Sequence, residues 1–309
     1  MAFFLLLASL VGALYGHANS KTGEVIMLLM CGVLIFMTVY TPIRFYKNVP
    51  SISLNNKTIS IDKKETYSWN DIEKIELTGK KYFKFLLIVQ DKEALTLKFT
   101  GLPELCFFDD MYANTAQIKT FINDNVLNKG IIHAINYPIK KSGYPGQITH
   151  IYSNSSLSGT VTYYKGNPFL SFDSLTKWFM ILIFLVPVSQ SILTNKLGLG
   201  ITFLFPSLLF YVYLSAGFYY FGLSDDHLLI RNNDRFWFRA EYPLSNIREI
   251  VIDQSSSKIP IALRIITNNF ENKAFPGGTL KNKHWQQLKS DLEAKGIKVR
   301  VDCYIGQDS

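Results

Sequence analysis

Trp69-Asn70-Asp71-Ile72-Glu73-Lys74-Ile75-Glu76-Leu77 and Leu244-Ser245-Asn246-Ile247-Arg248-Glu249-Ile250-Val251-Ile252 share one pattern. Each follows an apolar block and lies inside a β-rich block, and each closes on Ile-x-x-Ile-x-Leu/Ile. A repeat of this size marks one supersecondary unit used twice, so function is to be sought in the unit rather than in a single active site.

Outward from the first copy, short strands alternate polar and apolar positions, as in Lys57-Thr58-Ile59-Ser60-Ile61. Asn55-Asn56 supplies turn chemistry before it. Tyr82 to Gln90 and Ala94 to Thr100 read as a hairpin around Asp91-Lys92-Glu93. Beyond Gly101-Leu102-Pro103 the period changes: Ile118, Ile122, Val126 and Leu127 share a helical face, with a stop near Asn128-Lys129-Gly130. The second copy repeats this order. Leu228-Leu229-Ile230 and Phe236-Trp237-Phe238 flank the turn Asn232-Asn233-Asp234. Strands at 247–252, 261–267 and 270–275 follow, then a helix over 280–295 with Trp285, Leu288 and Leu292 on one stripe. Gly296 ends it, and Ile297 to Val301 adds a last strand.

Four apolar stretches, Ala2–Gly16, Val25–Ile43, Trp178–Leu193 and Leu197–Phe221, read as transmembrane spans in two hairpins. The first also reads as a signal peptide, with Gly16-His17-Ala18 offering a cleavage site but no cation ahead of the apolar run. Lys and Arg flanking the spans place both β-rich blocks in the cytoplasm, with outer turns at Gly23-Glu24 and Asn195-Lys196. The expected organisation is a transmembrane hairpin over 1–46, a first domain over 47–176 with an aromatic insert at 131–176, a second hairpin over 177–221 and a second domain over 222–309.

Composition excludes several classes. The net charge of +8 divides into about +2 for each β-rich block and an excess beside the apolar segments, so no basic face for nucleic acid is visible. Cys31, Cys106 and Cys303 have no metal or disulfide spacing. His17, His133, His150, His227 and His284 are scattered, and no paired nucleophile and base stands out. Asp109-Asp110 suits a helix start. The Asn154 sequon is accidental on a cytoplasmic face. No cofactor or metal is implied, and the chain reads as non-catalytic.

Strands closed by an amphipathic helix describe a small barrel or bent sheet. With the paired spans and the Ile-x-x-Ile signature, the chain resembles bacterial membrane proteins with tandem pleckstrin-homology-like (PH-like) domains, over roughly residues 25–130 and 178–301. The expected fold is therefore an α+β membrane protein: four transmembrane helices in two hairpins plus two PH-like β-barrel or bent-sheet domains, each closed by a C-terminal helix. The resemblance implies an integral protein of the bacterial plasma (inner) membrane with cytoplasmic domains. These would bind or scaffold a partner membrane protein or complex, or serve as an accessory subunit of a transporter or membrane enzyme. Expected partners are membrane lipids and another membrane protein or a second copy, without nucleic acid.

Two groups of residues are candidate contacts. Lys80, Lys81 and Lys84 in the first block, and Arg231, Arg235 and Arg239 with Trp237 in the second, suit anionic headgroups or a partner. They equally suit solvated strand ends that keep sheet edges from pairing. Tyr163, Tyr164, Phe169, Phe172 and Trp178 form an aromatic run that lies along a membrane surface, meets a partner protein, or completes the first module as a β-hairpin.

Overall fold

The computed structural model describes residues 21–62, 64–85, 88–128, 160–193, 204, 207–208, 211–254 and 259–303. Helix α1 (Lys21–Asn48) leads into an antiparallel sheet of β1 (Ile52–Leu54), β2 (Thr58–Ile61) and β3 (Glu65–Ser68), in that order. Asn55 closes its first turn by accepting from the Lys57 and Thr58 amides at 2.9 and 2.6 Å. After a 3-10 turn at Trp69–Asp71 come β4 (Ile72–Glu76), β5 (Lys80–Phe85), β6 (Ile88–Phe99) and β7 (Leu105–Phe108), all paired through β6. Helix α2 (Thr115–Ile122) closes the module and runs into one π-helical turn.

The second module follows the same course. Strands β9 (Tyr219–Leu223), β10 (His227–Asn232) and β11 (Arg239–Pro243) form an antiparallel meander. A 3-10 turn at Leu244–Asn246 leads to β12 (Ile247–Asp253), β13 (Ala262–Thr267) and β14 (Asn272–Pro276), and helix α4 (Asn282–Ala294) closes the module. Two additions distinguish it. Strand β15 (Val299–Asp302) returns parallel to β12, and β8 (Thr162–Tyr164), which precedes helix α3 (Phe172–Leu193), pairs with β9.

The repeated signature encodes a bulge. Strict alternation would send residues i and i+3 to opposite faces of a strand. In both copies the register slips by one residue, between Ile72 and Lys74 and between Ile247 and Glu249. The extra residue restores the face, so Ile72 and Ile75 both pack on one core and Ile247 and Ile250 both enter the other. A bulge also bends the strand. Ile-x-x-Ile is thus the sequence form of a bent strand at the entry to each second sheet.

Each module has its own core. Leu95, Leu97, Phe99, Phe121 and Ile122 centre the first; Phe221, Leu228, Ile230, Leu263, Trp285 and Leu288 centre the second. The helix stripes read from sequence account for Ile118 and Ile122 in one core and Trp285, Leu288 and Leu292 in the other. One residue crosses over. Phe270, in the β13–β14 turn, is 2 % exposed and packs in the first module's core. Its φ is +60°, a conformation that costs a non-glycine residue of order 1 kcal/mol or more. Burial of the ring and the bonds of its turn, Phe270 N to Thr267 O and Thr267 N to Glu271 O, hold it there.

Three expectations fail here. No helix among the described residues is long and apolar enough to cross a membrane. This overturns the four-span fold and, with it, the integral placement in a bacterial inner membrane with cytoplasmic domains. The physical reason lies in the interruptions. Lys177, just before the third stretch, is drawn into an ion pair with Asp234, and Ser189-Gln190-Ser191 follow Val188, leaving Trp178–Val188 as the unbroken apolar run of α3. Helix α1 carries Lys21, Glu24, Pro42, Arg44 and Lys47, and Gly23-Glu24 is its first turn rather than an outer loop. The first stretch lies outside the described residues, as do 197–203, 205–206 and 209–210 of the fourth, whose last three residues, 219–221, belong to strand β9 and not to a span. Second, Asp91-Lys92-Glu93 is no turn: β6 runs straight through it, paired with Lys80–Tyr82. Third, Phe236-Trp237-Phe238 is not a strand but the turn between β10 and β11.

Phe270→Ala removes a buried ring from a core that is not its own and so tests whether this residue locks the modules together. The expected loss is about 3 kcal/mol of unfolding free energy, read by urea denaturation of the full chain.

Candidate functional site

The cations expected to face a ligand are mostly engaged within the chain. Lys80 sits between the modules, 3.7 Å from Asp253 and 4.0 Å from Asp302. Lys81 is 3.1 Å from Glu76 and 3.0 Å from Glu104. Arg235 donates to Ser215 Oγ at 2.8 Å and to the Val212 carbonyl. Arg239 pairs with Glu241. Lys84 lies exposed on β5. Arg231 differs from all of these: its Nε is shielded from solvent and hydrogen-bonded to nothing among the described residues. The grouping also changes. Arg231 and Arg239 are direct cross-strand partners, while Arg235 turns toward the 211–215 helical segment.

Lys80 belongs to a polar seam that joins the two modules. Glu93 accepts from Arg300 and from the Gly79 amide, the latter at 2.9 Å. Arg300 Nε lies 3.2 Å from Asp302 and 3.5 Å from Glu249. Arg264 donates to Asp253 and to Asn272, both at 3.0 Å. Asn272 donates to Asp109 at 2.6 Å, and Asp109 is 2.6 Å from Lys119, which is 1 % exposed. Gly79, Lys80, Glu93, Asp109 and Lys119 come from the first module, and the others from the second. Asp109 opens the 3-10 turn Asp109–Met111, as the helix-start reading had it, and is at the same time a buried seam residue. Burial holds its carboxyl above the usual range despite Lys119. Burial also raises Asp302, against the pull of Arg300 and Lys80.

The aromatic run separates into two environments. Tyr164 is buried in the second core and its hydroxyl donates to Asp291. It is therefore no interface residue, and its strand joins the second module's sheet rather than completing the first. Tyr163 is exposed and its ring lies over Gly222, where a Cβ would meet it at 2.9 Å. Phe169 stacks on Trp178 with centroids 6.4 Å apart, and Phe172 is 83 % exposed. Trp178 borders the β10–β11 turn through the residue before it. Lys177, next to Trp178, reaches Asp234 at 2.7 Å and lies 4.6 and 4.5 Å from the Trp178 and Phe218 rings.

That turn carries the most exposed aromatic pair, Phe236 at 87 % and Trp237 at 65 %, packed edge to face. Asn232 fastens its base, accepting from the amides of Asp234 and Arg235 at 2.9 Å and donating to the Ser215 carbonyl. Sequence reading placed Phe236 inside a strand and missed it as a surface residue. It also missed Glu93, Arg264 and Arg300, because nothing local shows that the outer face of β12–β13 is covered. The one available signal was the isolated charges in otherwise apolar strands, Asp253 in β12 and Arg264 in β13. No group of His, Cys, Asp and Glu among the described residues could hold a metal ion.

Two outcomes test the seam. Glu93→Gln weakens the acceptor facing Arg300 and should cost about 3 kcal/mol, while Glu93→Gln with Arg300→Met should cost less than the sum of the two single changes. For Asp302, a folded-state pKa above the usual 3.8 means stability that is present below that value and lost as pH rises through the folded value. The wild type should therefore gain on Asp302→Asn as pH falls from neutrality toward 3.8, measured by urea unfolding across a pH series.

No family model, curated protein or solved structure matches the chain.

Proposed function

We propose that the chain is a non-catalytic binding and scaffolding protein, and that the Phe236–Trp237 turn with the neighbouring Phe169, Phe172 and Trp178 is its contact surface for a partner protein. The observation that supports this most directly is how the turn is built. Two large rings stand in solvent while the residues before them are fixed by Asp234–Lys177, Arg235–Ser215 and Asn232–Ser215. An exposed aromatic pair on a rigid base offers contact area at little ordering cost, the usual composition of an interface hot spot. A solvated turn without such a role has no need of two aromatic side chains. The resemblance to PH-like domains favours the same reading, since such modules serve as platforms without catalytic residues. The reading in which Lys80, Lys81 and Arg235 hold an anionic headgroup loses support, because those charges already have partners in the chain.

A photo-crosslinking residue at position 237 should give a discrete product in cells, and the same residue at Lys84, exposed on the other module, should not. A product of twice the chain mass identifies a second copy as the partner. Phe236→Ala with Trp237→Ala should abolish the product while shifting unfolding free energy by less than about 0.5 kcal/mol, as surface changes do. Equal products at 237 and 84, or none at 237, refute the proposal.

A further inference from the structure

The outer face of the β11-β10-β9-β8 sheet carries one row of side chains that does not balance. Arg239 on β11 is the register partner of Arg231 on β10, and Arg231 is the partner of Tyr220 on β9. One step beyond the β8–β9 register, Lys165 extends over the Tyr220 ring with its Nζ 5.0 Å from the centroid. The order across the sheet is therefore Arg, Arg, Tyr, Lys. Directly opposed side chains lie about 5 Å apart, and like charges there destabilise a sheet. The Ser224 amide bonds to the His227 carbonyl, which fixes the parity of the ladder. Arg231 therefore spends its backbone bonds on β9 and faces Arg239 across the narrower kind of pair.

Among the described ion pairs, the surroundings supply one carboxylate for three cations. Glu241, 3 % exposed, pairs with Arg239. His227, also on this face, lies 2.9 Å from Asp226. Arg231 makes no ion pair among the described residues, and its Nε lacks even a hydrogen bond. Tyr163 forms a wall beside the row, its ring seated over Gly222 and 6.2 Å from that of Tyr220. Elsewhere in the chain the engaged arginines, Arg264 and Arg300, have carboxylates. Arg231 has none among the described residues, and the apolar wall would strengthen any charge-assisted bond made beside it.

We propose that Arg231, Arg239 and Lys165 form a binding site for a phosphate group, with Arg231 as its principal donor. A tetrahedral oxyanion is the chemical class that fits: it carries up to two negative charges, offers several acceptors, and matches the planar fork of a guanidinium. A free small phosphate and a phospholipid headgroup present the same group. The site is separate from the Phe236–Trp237 turn, so its failure leaves the partner-binding proposal standing.

The test uses the full chain and inorganic phosphate. Phosphate should raise the thermal midpoint beyond the effect of chloride at matched ionic strength, in a saturable way. Arg231→Gln should weaken apparent phosphate affinity by about tenfold or more. In phosphate-free buffer the same variant should unfold at or above the wild-type temperature, because it relieves Arg239 of a like-charged partner; a merely structural arginine would lower it. Lys165→Gln, on an exposed side chain, provides a second variant with a smaller loss of affinity. A parallel arm uses phosphatidylcholine vesicles with and without phosphatidic acid: retention by the acidic vesicles that free phosphate competes away assigns the group to a headgroup, and its absence assigns a soluble phosphate. Equal shifts in phosphate and chloride, or an unchanged phosphate response in Arg231→Gln, overturn the proposal.

Discussion

The arrangement of the two modules depends on keeping Glu93, Glu249 and Asp253 charged at 1–3 % side-chain exposure. Each such charge costs several kcal/mol of desolvation unless a partner and further hydrogen bonds offset it. The partners come from both sides: Arg300 answers Glu93 across the seam, and Lys80 answers Asp253. Each module thus supplies a cation to the other's buried carboxylate, and each is completed by the other. Phe270 adds an apolar pin to this polar seam by entering the opposite core. The ionic contacts select one register between the sheets, and the buried ring supplies hydrophobic area that holds it.

Much of the local architecture was legible in the chain. The repeat was visible in Ile72/Ile75 and Ile247/Ile250, and the helix stripes in Ile118/Ile122 and Trp285/Leu288/Leu292, because these patterns report a buried face directly. The bulge was written in the same residues, as the one-position excess over strict alternation. The strand boundaries failed where polarity suggested a turn. Asp91, Lys92 and Glu93 are polar in mid-strand because Glu93 faces the other module and Lys92 pairs with Asp110.

The candidate contacts were less legible, since a sequence shows a charge but not its partner. Lys80, Lys81 and Arg235 looked free and are engaged; Arg231 looked like one of three and differs from the other two in its Nε, which is shielded from solvent and bonded to nothing among the described residues. That distinction rests on strand register, which Asn232-Asn233-Asp234 suggested only as a turn. The apolar stretches misled in another way. Long hydrophobic runs describe composition, whereas a span requires an uninterrupted length, and Ser189-Gln190-Ser191 cut one of those runs short.

Strand β8 lies well ahead of the strand it pairs with, across helix α3, yet it completes the second module's sheet. The unit that repeats in sequence is therefore not the unit that could be excised. A fragment starting at the second meander would leave the edge of β9 bare and take Tyr164 away from Phe221 and Trp285 in the core. An unpaired hydrophobic edge invites pairing with another chain. The connection between the modules is in this sense part of the second one, and insertion or cleavage within residues 162–164 would disturb a domain that begins, by repeat, much later.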